Sequence, residues 1–110
     1  MIREETMELD ELGEAAHHAC ALLKGLANPD RLVLLCELAQ GERNVGQLEQ
    51  VLGIGQPTLS QQLAVLREAR LVDNRRDGKH VYYRVVSEPA LAVLQVLHAQ
   101  FCADSRGSAA

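Results

Sequence analysis

NVGQLEQVLGIGQPTLSQQLAVL, residues 44–66, decides the fold. It reads as two short helices joined by a tight turn. Asn44 caps the first, Gln47 three residues on completes a capping box, and Gly53 ends it. Pro57 opens the second, which runs to about Ala69, with Leu59, Leu63 and Leu66 at helical spacing on one face. Once those leucines point inward, Thr58, Gln61 and Ala64 point outward and Ser60 and Gln62 flank them. The outer face holds glutamines and hydroxyls and no charge. It is either a plain solvated surface or one built to hydrogen-bond something flat and patterned. Glutamine can form two hydrogen bonds with an adenine edge, and Thr or Ser can reach bases or phosphates. A helix entering a major groove reads with its N-terminal residues, here Gln56, Thr58 and Gln61, while the preceding helix supports it.

The flanking sequence extends the pattern. Leu9, Leu12, Ala16, Ala19, Leu23 and Leu26 recur at spacings of three and four, predicting a helix from about Glu8 to Lys24. In ANPDRLVLLCELAQG, Asn28 caps, Pro29 suits the first helical position, Asp30 sits at the positive end and Gly41 follows the stop. After residue 70 the period changes to two. In LVDNRRDGKHVYYRVV, Val81, Tyr83 and Val85 alternate with His80, Tyr82 and Arg84, and Asp77-Gly78 supplies a hairpin turn. A last helix begins near Ser87 and carries Leu91, Leu94, Leu97, Phe101 and Cys102. The expected architecture is mainly α with a β-hairpin wing: a single winged helix-turn-helix domain over residues 1–110, with four helices, the hairpin and a fifth helix. Residues 1–7 and 104–110 are expected to be flexible.

Composition bounds the function. The 110 residues suit one domain, small enough for a shared dimer core to help bury apolar surface. No apolar run reaches a membrane span, and the acidic start MIREETMELDELGEA lacks the basic and apolar regions of a signal peptide, so a cytoplasmic protein without a membrane partner is expected. The net charge of −4 disfavours nucleic acid, but its distribution does not. Between Ile54 and Val86, Arg67, Arg70, Arg75, Arg76, Lys79 and Arg84 stand against Glu68, Asp73 and Asp77, a local +3 that leaves −7 for the remainder. Arg75, Arg76, Lys79 and His80 gather at the hairpin tip, as a wing touching phosphates or a minor groove requires. For the glutamines alone, a solvated face is the simpler reading. The helix order and the basic wing together turn the reading to DNA.

The blocks NPDRL, TLSQQLAVLREARLV and RRDGKHVYYR resemble the ArsR/SmtB family of dimeric bacterial repressors, over most of residues 15 to 102. The resemblance implies a homodimer built by the first and last helices on an inverted-repeat operator, and the apolar stripes on both helices agree with that. Many members sense metal through cysteines in an ELCVCDL-like stretch. ERNVGQL stands there in this chain, with Asn44 and Gly46 in place of thiolates. A second family metal site on the last helix is reduced to His98. No metal and no other cofactor are expected.

Three cysteines at unrelated spacings do not form a secreted disulfide framework. Cys36 and Cys102, together with GIGQPTLSQQL, resemble the branch of the family that responds to reactive sulfur. There, the resemblance implies, reduced protein binds DNA, and persulfides link two such cysteines within a protomer and release the operator. On its own residues Cys36, among leucines, also fits simple packing. Cys102 near the C-terminus is the more accessible thiol. Cys20 is read as packing or dimer interface, and His17, His18 and Cys20 form only a weak zinc pattern. The alternatives are the same fold sensing peroxide, disulfide stress or a metal ion, or a winged helix that binds only protein. No nucleophile–base arrangement or phosphate loop marks an enzyme.

Overall fold

Residues 8–103 are described by a computed structural model. The expected flexible ends, 1–7 and 104–110, lie outside this range. The chain runs α1 (Leu9–Leu26), α2 (Pro29–Ala39), β1 (Arg43–Asn44), α3 (Val45–Leu52), α4 (Thr58–Glu68), β2 (Val72–Asp77), β3 (His80–Val85) and α5 (Glu88–Leu97), then a π-helical segment, His98–Ala103.

Cap chemistry sets most of these boundaries. Glu8 and Glu11 form a reciprocal capping box at the start of α1. The Asn28 side chain accepts from the Arg31 N–H at 3.0 Å, with Pro29 in the first turn of α2. Asn44 and Gln47 exchange hydrogen bonds of 2.8 Å at the start of α3, and Ser87 accepts from Ala90 N–H to open α5. Each bond satisfies an amide that helical geometry leaves unpaired. Gly53 ends α3 at φ 71°, a left-handed conformation that favours glycine, and so turns the chain toward α4. Helix α4 itself starts one residue later than expected, at Thr58, with Pro57 in the capping position.

The wing is broader than the sequence indicates. Strand β3 pairs antiparallel with β2 from Val72↔Val85 to Asp77↔His80, and on its other edge with β1 through Arg43↔Tyr83 and Asn44↔Tyr82. The sheet therefore has three strands in the order β1-β3-β2. The loop is Gly78-Lys79, one position beyond the expected Asp77-Gly78, because Asp77 and His80 are themselves paired. Gly78 takes the positive φ of 65° that the first position of a tight hairpin turn needs.

Leucines from every layer meet beneath the wing. Leu34, Leu35, Leu38, Leu48, Leu59, Leu63 and Leu66 are buried together with Leu26, Leu71, Val72, Ala90 and Leu94, and Tyr83 and Val85 of β3 close over them. Burying each such leucine contributes about 1.5–3 kcal/mol, so this cluster is what fixes α4 against α2 and α3. No polar or charged residue is buried among the described residues. Apolar side chains also remain outside the core: Leu9 is 83% exposed, Leu23 54%, Val96 59% and Phe101 72%. They lie on α1, α5 and the π-helical segment.

Candidate nucleic-acid interface

Helix α4 is held by its buried leucines, Leu59, Leu63 and Leu66, and shows its other face to solvent. Thr58, Ser60 and Gln61 are exposed on that face, and Gln56 is exposed just before it. These side chains differ in freedom. Gln56 donates through Nε2 to Glu49 Oε2 of α3 at 3.1 Å and accepts from Ser60 Oγ. Those two bonds brace the turn between α3 and α4, so Gln56 and Ser60 are positioned by the protein itself. Gln62 is half-buried and turned sideways, accepting from Arg31 Nη1 of α2 at 3.1 Å. Thr58 and Gln61 make no side-chain hydrogen bond among the described residues and present their groups outward.

The wing separates its cations in the same way. Arg75, Tyr82, Asp77 and His80 lie on one face of the sheet, as their register requires. Arg75 is not a free wing-tip cation: it donates to Glu42 from Nε at 2.9 Å and from Nη2 at 2.8 Å. Its guanidinium lies 4.7 Å from the Tyr82 ring centroid, and Nη1 is 3.8 Å from Asp77. The hydrogen bond from Arg75 holds the Glu42 carboxyl below its usual range. His80 meets the same Tyr82 edge-on, with centroids 6.2 Å apart. Arg76 and Lys79 are exposed and make no ion pair among the described residues. All four residues gather at the wing, but the tyrosine platform and its carboxylate partner set Arg75 apart.

The thiols occupy a different surface. Cys36, half-buried on α2, lines a cavity of about 340 Å³ with Ala39, with Leu91, Leu94 and Gln95 of α5, and with His98 and Ala99 of the π-helical segment. Cys102 follows within the π-helical segment and is exposed. Burial pushes the Cys36 thiol above its ordinary value, and the nearby Cys102 adds to the rise. Cys20, read as packing or dimer interface, is exposed on α1 beside His17 and Lys24, so it does not pack within the protomer. Among the described residues no three His, Cys, Asp or Glu side chains gather as a metal cluster, and no helix is long and apolar enough to cross a membrane.

Known proteins share this fold. The model of the bacterial regulatory protein arsR family matches residues 28–74, from the cap of α2 into β2. The biofilm growth-associated repressor of Agrobacterium fabrum is 52% identical over 95 residues, covering 86% of this chain and 81% of the relative. The crystal structure of the transcriptional repressor BigR from Xylella fastidiosa superposes with a TM-score of 0.80 at 46% identity, over 87% of this chain and 98% of that one. Reduced HlyU from Vibrio cholerae gives a TM-score of 0.81 at 38% identity, over 86% and 99% of the two chains. Identity at this level over nearly the whole domain, on a winged helix-turn-helix, places the chain in the arsR family of bacterial regulatory proteins, as a transcriptional regulator and not an enzyme.

Proposed function

We propose that the protein is a transcriptional repressor that binds an inverted-repeat operator as a homodimer and releases it when reactive sulfur links Cys36 to Cys102. The observation that carries the switch is the placement of Cys36 against the last helix, on the stripe that leads to Cys102. Thr58 and Gln61 read base edges, Gln56 and Ser60 support the reading end of α4, and Arg76, Lys79 and His80 meet the backbone. The exposed apolar side chains of α1 and α5 supply the surface that a second copy covers. The names of the Agrobacterium and Xylella relatives support repression, and a reduced form distinguished for HlyU supports thiol chemistry.

The linking reaction is self-contained. Exposed Cys102 takes the outer sulfur of a persulfide RSSH, giving Cys102–SSH and RSH. A second RSSH extends it to Cys102–SSSH with another RSH. Cys36 then attacks the sulfur bonded to Cys102 Sγ and expels H₂S, leaving a trisulfide between the two residues. In sum, two RSSH and two thiols give one trisulfide, two RSH and one H₂S. The electrons lost by the thiols go to sulfane sulfur, so no separate oxidant is required. An inserted sulfur also lengthens the bridge beyond what an ordinary disulfide spans.

The test is operator release measured side by side with a persulfide, peroxide, a disulfide and metal salts, with intact mass recorded for each. Persulfide should release DNA and add one bridging sulfur at Cys36 and Cys102. Normal release by Cys36→Ser protein refutes the thiol switch, and metal-specific release replaces it with a metal sensor.

A further inference from the structure

Arg31 has no part in either surface as the sequence presents it, yet it joins three elements. Its Nε donates at 2.7 Å to Gly25 O, a carbonyl that the C-terminus of α1 leaves open, and its Nη2 donates at 3.0 Å to Lys24 O, which also accepts from the Ala27 N–H. The remaining nitrogen, Nη1, donates to Gln62 Oε1 of α4 at 3.1 Å. A guanidinium is a rigid planar fork, so these three bonds cannot be kept while one partner moves independently. Its own backbone is pinned as well, since Arg31 N–H donates to the Asn28 cap. The group lies where α1, α2 and α4 converge, and Gln62 sits beside Gln61, the outward-facing glutamine of the same helix.

Helix α2 gives this junction a second meaning. Cys36 lies five residues beyond Arg31 on the same eleven-residue helix, roughly 7.5 Å along its axis. A helix of three turns moves as a rod. Any shift or roll of α2 that brings Cys36 into a covalent link with Cys102 is therefore delivered at Arg31 too, and from there to Gln62. The buried leucines of α4 resist sliding but carry no directional bond; the arginine–glutamine bond does.

We infer that Arg31 is the positioning residue that makes the seating of the reading helix depend on α2, so that linking Cys36 to Cys102 is read out at Gln62. The inference rests on the thiol-switched repressor reading and adds the route by which the switch reaches DNA. Arg31 acts through Gln62, not by touching DNA.

The test compares operator affinity of full-length protein before and after linking with inorganic polysulfide, for wild type, Arg31→Met, Arg31→Lys and Gln62→Met. The quantity read is the ratio of the two dissociation constants. Arg31→Met should shrink that ratio by about 3- to 10-fold, the range expected when one charge-assisted bond in the route is lost. Arg31→Lys should recover part of the ratio, and combining Arg31→Met with Gln62→Met should be no worse than either alone. A merely structural arginine would lower affinity in both states and leave the ratio where it was; that result, or additive single effects, overturns the inference. Should Arg31→Met not fold, Gln62→Met interrogates the same bond from α4. A wild-type ratio near one would instead defeat the thiol switch itself, and failure of wild type to bind any duplex would defeat the DNA reading.

Discussion

Glu42 and Arg75 meet in a two-pronged ion pair, 2.9 Å from Nε to Oε2 and 2.8 Å from Nη2 to Oε1, although one precedes β1 and the other lies within β2. Strand β1 brings them together: its pairing with β3 sets Asn44 opposite Tyr82, and Tyr82 stands opposite Arg75. The pair has a functional consequence, because an arginine held by a carboxylate is a weaker partner for phosphate. Glu42→Gln should release it. The expected outcome is tighter operator binding, by about 3-fold at low salt, and a log–log salt dependence steeper by about 0.9, the increment for one more neutralised phosphate. Fluorescence anisotropy across a salt series measures both. An unchanged slope would show that Arg75 stays on Tyr82 and off the DNA. Mild acid is no substitute for the mutation, since Arg75 keeps the Glu42 carboxyl ionised below its ordinary range.

Gln61 and Arg76 are both exposed, and the proposed function gives them different tasks. Loss of Gln61 removes hydrogen bonds that one base pair supplies and another does not, so Gln61→Ala should relax preference at one position of each half-site, by about 1–3 kcal/mol. Arg76→Ala should weaken every duplex alike and flatten the salt slope by about one unit. Competition with single-base variants of the operator separates the two. Equal loss on all sequences for Gln61→Ala would move base reading to another residue.

Legibility in the sequence follows the range of each interaction. The caps Asn28 and Asn44 with Gln47 were readable because both partners lie within three residues of one another, and Ser87, where the last helix was expected to begin, forms a cap of the same range. The inward leucines of α4 were readable because helical spacing alone assigns their face. Strand β1 was not: two residues have no periodicity, and their partners, Tyr82 and Tyr83, lie far along the chain. For the same reason Gln62 and Arg75 looked free, when Arg31 and Glu42 hold them. The hairpin loop shifted by one because Asp77 is as good a strand-end residue as a turn residue, and pairing with His80 decided between them. The π-helical turn at His98 has the composition of an ordinary helix, so nothing in the residues announces it.

Arg70 offers a stability test that is independent of function. It takes φ 64° at the end of α4, where Arg70 N–H donates to Arg67 O and Leu71 N–H to Leu66 O. That is the bonding of a Schellman turn, in which the left-handed position usually holds glycine. An L side chain there costs about 1–2 kcal/mol, against a smaller entropic cost for glycine in the unfolded chain. Arg70→Gly should therefore stabilise the fold by about 1 kcal/mol, roughly 4–8 °C in melting temperature for a domain of this size. A lower melting temperature would mean that the arginine makes a compensating contact. A stabilised variant with weaker DNA binding would place Arg70 among the phosphate contacts.

In the proposed thiol switch, Cys36 sets the pH dependence. Burial first, and Cys102 second, raise its thiol above the ordinary value of 9.0. Because the folded value lies above the unfolded one, the native state holds this proton more tightly. Its contribution to stability is complete below the unfolded value and is lost as pH rises through the folded one. Reactivity runs the opposite way, since only the thiolate attacks. Near neutral pH, iodoacetamide should label exposed Cys20 and Cys102 well before Cys36, and Cys36 labelling should climb by about tenfold per pH unit up to its raised value. The linking reaction has Cys36 acting second, so a Cys102 persulfide should accumulate at neutral pH and convert to the bridged form faster as pH increases. Time-resolved intact mass spectrometry follows both species. If Cys36 were labelled first at neutral pH, or if bridging did not depend on pH, the assignment of Cys102 as the attacking thiol and Cys36 as the resolving one would be reversed.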